Sequence, residues 1–240
     1  MLKFEEEDLP PVHPVLCYDR PYLQDIPAKL TATGVKRGYK AAEAAEETPV
    51  PRPEVQLRQP MFDRQMHGLT PAERGTAHHL FMQFCDFTVC AQPGGVQAEL
   101  NRMREKRILA PEQADAIEIS RIEKFFASRL FREDFAAAKV RREFKFSVVV
   151  PAGDYYPVAE SAEGETVLLQ GVIDCLLETD AGFFVLDFKT DRVRAQDASA
   201  CAEKYRAQLN AYARAVEEIF ARPVTGKAVF FLGLGEEVRL

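Results

Sequence analysis

No two of the five cysteines (Cys17, Cys85, Cys90, Cys175 and Cys201) fall at Cys-x-x-Cys spacing, and their number is odd. That argues against a disulfide framework and fits reduced thiols in a cytoplasmic protein. No run of 18 apolar residues occurs, so a membrane-spanning helix is not expected. The opening Met-Leu-Lys-Phe-Glu-Glu-Glu-Asp lacks the apolar stretch of a signal peptide. There is no Gly-x-x-x-x-Gly-Lys-[Ser/Thr] phosphate loop and no internal repeat. Positive charge is not in excess either. A formal net charge of −6 argues against a general nucleic-acid coat, though a local basic groove is compatible with it. What remains is a chain of 240 residues, 47% of them hydrophobic, which suffices for one large or two small globular domains.

Residues 1–30 are rich in proline and charge without a clear period, and residues 41–60 have the composition of a linker. Residues 1–60 are therefore read as an N-terminal tail and linker from an upstream region, and 61–240 as the folded domain. A chain that opens this way is expected to be a fragment of a longer protein. Thr70-Pro71-Ala72-Glu73 is a capping box with proline at the first helical position, predicting a helix to about Phe87. Its apolar stripe is Ala77, Leu80, Phe81, Phe84 and Thr88; at about 100° per residue, Gly75 and His79 fall on the opposite side. Further helices are expected at 96–108, 111–131 and 198–220, the last with Tyr205, Leu209, Tyr212, Val216 and Ile219 as its buried seam. Strands are expected at 141–150, 166–177, 183–190 and 227–232. The order implies an α/β fold with a mixed central β-sheet flanked by α-helices.

The most informative pattern is Gly171-Val172-Ile173-Asp174 followed by Leu186-Asp187-Phe188-Lys189-Thr190. A hairpin closed by a four-residue loop, Thr179 to Gly182, sets Leu177 opposite Phe184 and Asp174 opposite Asp187. Directly opposed residues share a face, with Cβ atoms roughly 4.5–5.5 Å apart. Lys189, two residues on, joins Asp187. Opposed like charges destabilise a sheet, so a cation between them is the natural explanation. Two carboxylates with backbone oxygen and water suit Mg²⁺ or Mn²⁺. A surface salt-bridge cluster is the plainer alternative. It fits poorly with the apolar neighbours Phe184, Val185, Leu186 and Phe188, which imply burial, where unpaired carboxylates are costly. Gly171 inside a strand suggests a bulge or a close approach.

Other residues are weaker on their own. His79 fits either solvent or a cleft, and His78 is not assigned a metal role. Gln208 and Tyr212 lie one turn apart on one helix face, where core packing with one amide hydrogen bond accounts for them equally well. Glu143 fits an alternating strand or a third acidic group.

Together these residues resemble the RecB-like branch of the PD-(D/E)XK nucleases. Gly75-Thr76-Ala77-His78-His79 resembles its Gly-x-x-x-His motif, and Gly171-Val172-Ile173-Asp174 its Gly-x-x-Asp motif. Asp187-Phe188-Lys189 resembles its Asp-x-Lys core, and Gln208-Leu209-Asn210-Ala211-Tyr212 its Gln-x-x-x-Tyr motif. The stretches Leu69 to Thr76, Leu186 to Val193, and Tyr205-x-x-Gln208-Leu209 further resemble the C-terminal nuclease domains of AddA-type helicase–nucleases, over roughly residues 28–240. No cysteine follows Cys201, so the four-thiolate iron–sulfur site of AddB-type relatives is not expected.

The resemblance implies a restriction-endonuclease-like core and a Mg²⁺-dependent DNA exonuclease, with Mn²⁺ as a substitute. It implies His79, Asp174, Asp187 and the Phe188 carbonyl as metal ligands, with Lys189, Gln208 and Tyr212 completing the catalytic set. Implied partners are DNA, an upstream helicase portion of the same protein and an AddB-like partner subunit, with a role in double-strand-break repair. Lys36, Arg37, Lys40, Arg102, Arg104, Lys106, Arg107, Arg141 and Arg142 are candidates to track the strand, most of them as ordinary solvated charges. Two alternatives stay open: a catalytically degenerate DNA-binding or docking module of this fold, and a free-standing related DNA endonuclease.

Overall fold

The computed structural model describes residues 26–35, 69–136, 138–156 and 164–240. Lys36, Arg37, Lys40 and the linker composition at 41–60 lie outside them.

Strand β1 (Lys29–Thr31) and a one-turn helix α1 (Ala32–Val35) come first. Helix α2 (Pro71–Phe84) opens on the expected capping box. Thr70 Oγ1 accepts the Glu73 N–H at 3.2 Å, and the Glu73 carboxylate accepts the Thr70 N–H at 2.9 Å. It stops short of Phe87 because Asp86 caps a new turn, α3 (Phe87–Cys90), accepting the N–H groups of Thr88 and Val89. Helix α4 (Gly95–Glu105) lies where one was expected. The helix expected at 111–131 is divided into α5 (Pro111–Asp115), α6 (Ile119–Phe126) and a π turn at Phe131–Phe135. Ser128 ends α6: its hydroxyl donates to the Phe125 carbonyl and accepts the Phe131 N–H.

There follow β2 (Lys139–Pro151), β3 (Thr166–Thr179), β4 (Gly182–Lys189), α7 (Ala198–Glu203), α8 (Arg206–Phe220), β5 (Val224–Phe231) and β6 (Glu236–Arg239). The single helix expected over 198–220 is interrupted at Lys204–Tyr205, between α7 and α8.

The six strands form one mixed sheet, with β1, β3, β4, β5 and β6 in sequence across it and β2 against β3. The α/β expectation holds. The hairpin register is as expected, with Leu177 opposite Phe184, but Thr179 still pairs with Gly182. The connector is therefore two residues long rather than four. Lys29–Thr31 had been assigned to the tail; they form a parallel strand on β3, and Ala32 after them is fully buried. Three residues are too few to leave a periodic signal.

A strand has two edges. β2 pairs along almost all of β3, so β1 and β4 share the other edge, at Leu168–Gln170 and Cys175–Thr179 respectively. Gly171–Asp174 lies in the gap between them.

Alternation along β4 sorts its side chains. Phe184, Leu186 and Phe188 join a core under α2–α6, and Phe183 and Val185 join a second core under α7 and α8. In the α2 stripe, Ala77 and Phe81 are buried as expected, but Phe84 is 45% exposed. Ile219 at the end of the α8 seam is 41% exposed.

Candidate metal centre

Three adjacent strands bring acids into one row. The flanking pairs Arg142↔Cys175 and Phe144↔Ile173 set Glu143 opposite Asp174. Extending the register from Cys175↔Leu186 sets Asp174 opposite Asp187. Glu143 has φ 50°, in the left-handed region that non-glycine residues avoid. Val140 packs with the α2–α6 core, whereas Phe144 and Phe146, at the same parity, pack with the α8 core. Strand β2 therefore changes face at Glu143. β3 changes face beside it: Ile173 and Leu176 belong to the α8 core, but Cys175 and Leu177 to the other. No residue is inserted, so the twist is local to the acidic row.

The twist leaves Asp174 at the gap in the sheet edge. Its Oδ2 accepts the Phe188 N–H at 2.7 Å, a side chain taking the place of a backbone rung. His79 arrives from α2 with Nδ1 3.4 Å from Asp174 Oδ1. Gly75, one turn earlier, makes that approach close: a Cβ there would stand 3.0 Å from Thr190 Oγ1. His79, Glu143 and Asp174 each offer a ligand atom, all within 4.8 Å of one another. They line a cleft of about 430 Å³ together with Gly75, Thr76 and Thr190.

Asp187 is 2% exposed and ion-pairs with the Lys189 ammonium, as the two-residue spacing predicts. That contact is a charge pairing without hydrogen-bond alignment, and no other described residue donates to Asp187 Oδ2. Burial pushes the Asp187 carboxyl up to about 6, with Lys189 opposing and Asp174 adding to the rise. Burial and then the Asp174 charge push Glu143 up. Burial would lower His79, but its hydrogen bond to Asp174 and the charges of Asp174 and Asp187 outweigh it and hold the imidazole above its usual range. Acids that raise one another, beside a histidine held cationic, mark surplus negative potential. An imidazole and two carboxylates at this separation, with a third, poorly satisfied carboxylate adjoining, are a donor set that fits a hard divalent cation.

The remaining expected residues fall nearby, with different partners. Gln208 Nε2 donates to Tyr212 Oη at 2.7 Å, and both side chains are buried. Burial raises the Tyr212 phenol, and the Asp187 charge is the next cause, so this pair borders the acids. The ring beside the lysine belongs to Tyr205: Lys189 Nζ stands 4.6 Å from its centroid, and Tyr205 Oη donates to Asp191 Oδ2 at 2.8 Å. The sequence placed Tyr205 only in a buried seam. Its spacing three before Gln208, on the same helix face, was the available signal.

His78 is buried and satisfied. Nδ1 donates to the Arg74 carbonyl at 2.8 Å, and Nε2 accepts the Glu118 N–H at 3.3 Å, which fixes a neutral tautomer; burial lowers its pKa. Four of the candidate strand-tracking cations are engaged elsewhere. Arg102 binds Glu99, Arg104 binds Asp115, Arg141 binds Glu178, and Arg142 caps the carbonyls of Met82 and Cys85.

The family model of the PD-(D/E)XK nuclease superfamily matches residues 53–238. The chain belongs to this superfamily. The restriction-endonuclease-like expectation is thus borne out, and with it the motif resemblance. Among curated PD-(D/E)XK relatives, the AddA-type ATP-dependent helicase/nuclease protein of Moorella thermoacetica is 41% identical over 226 residues, covering 93% of this chain and 16% of that protein. The protein of the same description from Desulforamulus reducens is 39% identical, covering 93% and 18%. That from Bacillus cytotoxicus is 35% identical, covering 85% and 17%. The chain thus spans less than a fifth of the length of these curated relatives, and the expected likeness to AddA-type nuclease domains is met. No helix among the described residues is long and apolar enough to cross a membrane.

Proposed function

We propose that this domain is the Mg²⁺-dependent DNA exonuclease of a cytoplasmic helicase–nuclease that processes double-strand breaks for recombinational repair. It would act with an upstream helicase portion of the same protein and an AddB-like partner. The observation that carries the reading is the convergence of His79, Glu143 and Asp174 beside the buried Asp187–Lys189 pair.

His79, Asp174, Asp187 and the Phe188 carbonyl are the proposed ligands, and Glu143 an additional one or an outer carboxylate. A divalent ion held there supplies Lewis-acid polarisation of a phosphoryl oxygen and acidifies bound water. Lys189 is proposed to orient the attacking water and to offset negative charge growing on the phosphate. Asp187 holds the ammonium in place, and the Tyr205 ring backs it on another side. The hydrogen bond from the Phe188 amide to Asp174 fixes the backbone between the two β4 functional residues. Gln208 and Tyr212, bonded to each other, close the acidic row from α8.

The chain should digest single-stranded DNA only when Mg²⁺ or Mn²⁺ is added, and Asp187→Ala should abolish the reaction. Undiminished digestion by Asp187→Ala would sink the assignment. Mn²⁺ titration by calorimetry separates a degenerate docking module, which would bind the ion no better than Asp174→Ala does.

A further inference from the structure

A second cleft, about 590 Å³, lies on the other side of the Gly75–Thr190 contact. It shares Pro71, Ala72, Gly75 and Thr190 with the acidic cleft, so the two adjoin across one wall. Their charges are opposite. Arg74, Arg121 and Arg192 line the second cleft against two acids, Glu118 and Asp191. Both acids have partners. Glu118 Oε2 lies 2.7 Å from Arg121 Nε, and Asp191 Oδ2 accepts from Tyr205. His78, in the same wall, is held as the neutral tautomer and adds no charge. Arg74 donates its Nε–H to the Leu69 carbonyl at 3.1 Å, and its terminal nitrogens remain at the exposed rim. Arg192 is exposed and follows the Lys189-bearing strand by three residues. The first turn of α2, the positive end of a 14-residue helix, forms part of the wall. An anion is the ligand such a lining favours, and guanidinium forks match phosphate oxygens.

We infer that this cleft binds the DNA phosphate next to the scissile one, with Arg192 and Arg74 as its main contacts. The inference rests on the nuclease reading of the acidic cleft. A strand laid across the Gly75–Thr190 wall would place one phosphodiester at the acidic row and its neighbour among the arginines. Those arginines would then set register along the strand rather than perform chemistry.

The test compares wild type with Arg74→Ala/Arg192→Ala, both exposed positions, in Mg²⁺. Substrates are a single-stranded oligonucleotide and a dinucleotide, which has one phosphodiester and no neighbouring phosphate. The double variant should lose about tenfold in kcat/KM on the oligonucleotide, mostly through KM, and markedly less on the dinucleotide. The log–log salt slope of the oligonucleotide KM should shrink by about 0.7 per arginine removed. Equal losses on both substrates, or no loss on the oligonucleotide, would overturn the phosphate subsite while leaving the nuclease reading intact. A wild-type chain that cleaves neither substrate sinks both.

Discussion

Lys189 is held from two directions: the buried carboxylate of Asp187 and the face of Tyr205 4.6 Å away. The ion pair was legible in the sequence, because a spacing of two on a strand puts both side chains on one face. The aromatic contact was not, since it joins β4 to a helix sixteen residues further on. In a desolvated site a cation–π contact contributes about 2 kcal/mol. Tyr205→Leu should therefore lower kcat on single-stranded DNA by roughly tenfold or more, while Tyr205→Phe, which keeps the ring, stays near wild type. If the Phe variant is as impaired as the Leu variant, the hydroxyl bond to Asp191 is what matters, not the ring. Glu143 shows the other limit at this scale. Its residue type hinted at a third acid, but its place beside Asp174 depends on a backbone φ of 50° that no alternation pattern predicts.

At the scale of elements, β3 is where structure and site meet. Its glycine was read as a bulge or a close approach, and it is the latter. A Cβ on Gly171 would stand 2.6 Å from Phe146 Cζ and 3.1 Å from Ala32 Cβ. Phe146 is the cross-strand partner of Gly171, and its ring fills the space that the missing side chain leaves. Gly171→Ala should cost about 2 kcal/mol by overpacking, read from denaturant midpoints at unchanged m. A variant as stable as wild type would show that the Phe146 ring gives way freely. β4 divides its labour by parity. Phe188 meets Phe125 edge-on at 5.0 Å in the α2–α6 core, while Asp187 on its opposite face is buried beside Lys189. Packing on one face thus holds the chemistry on the other. The capping box at Thr70 was legible because it is local; the break at Ser128 was missed because its hydroxyl bonds compete with a helix that the apolar period alone would continue.

For the whole molecule, the acidic row is a charge problem that folding does not finish. Three carboxylates and an imidazole gather around one lysine, and burial pushes two of the acids, Glu143 and Asp187, upward. A cation that binds only the folded state should therefore stabilise it. At free Mn²⁺ a hundredfold above Kd, linkage gives about 2.7 kcal/mol, seen as a rise in Tm over the chelated protein. Asp174→Ala should lose that rise, and a wild-type Tm indifferent to Mn²⁺ would count against a cation site. The sequence by itself determined the α/β class, the hairpin register, and the meeting of Asp174, Asp187 and Lys189, because each follows from short-range periodicity and turn spacing. Only the tertiary structure decided that Glu143 completes the cluster, that Tyr205 rather than Gln208 backs the lysine, and that β1 joins the sheet. Those contacts link segments far apart in the chain, where their geometry depends on how strands twist and helices dock rather than on any local pattern.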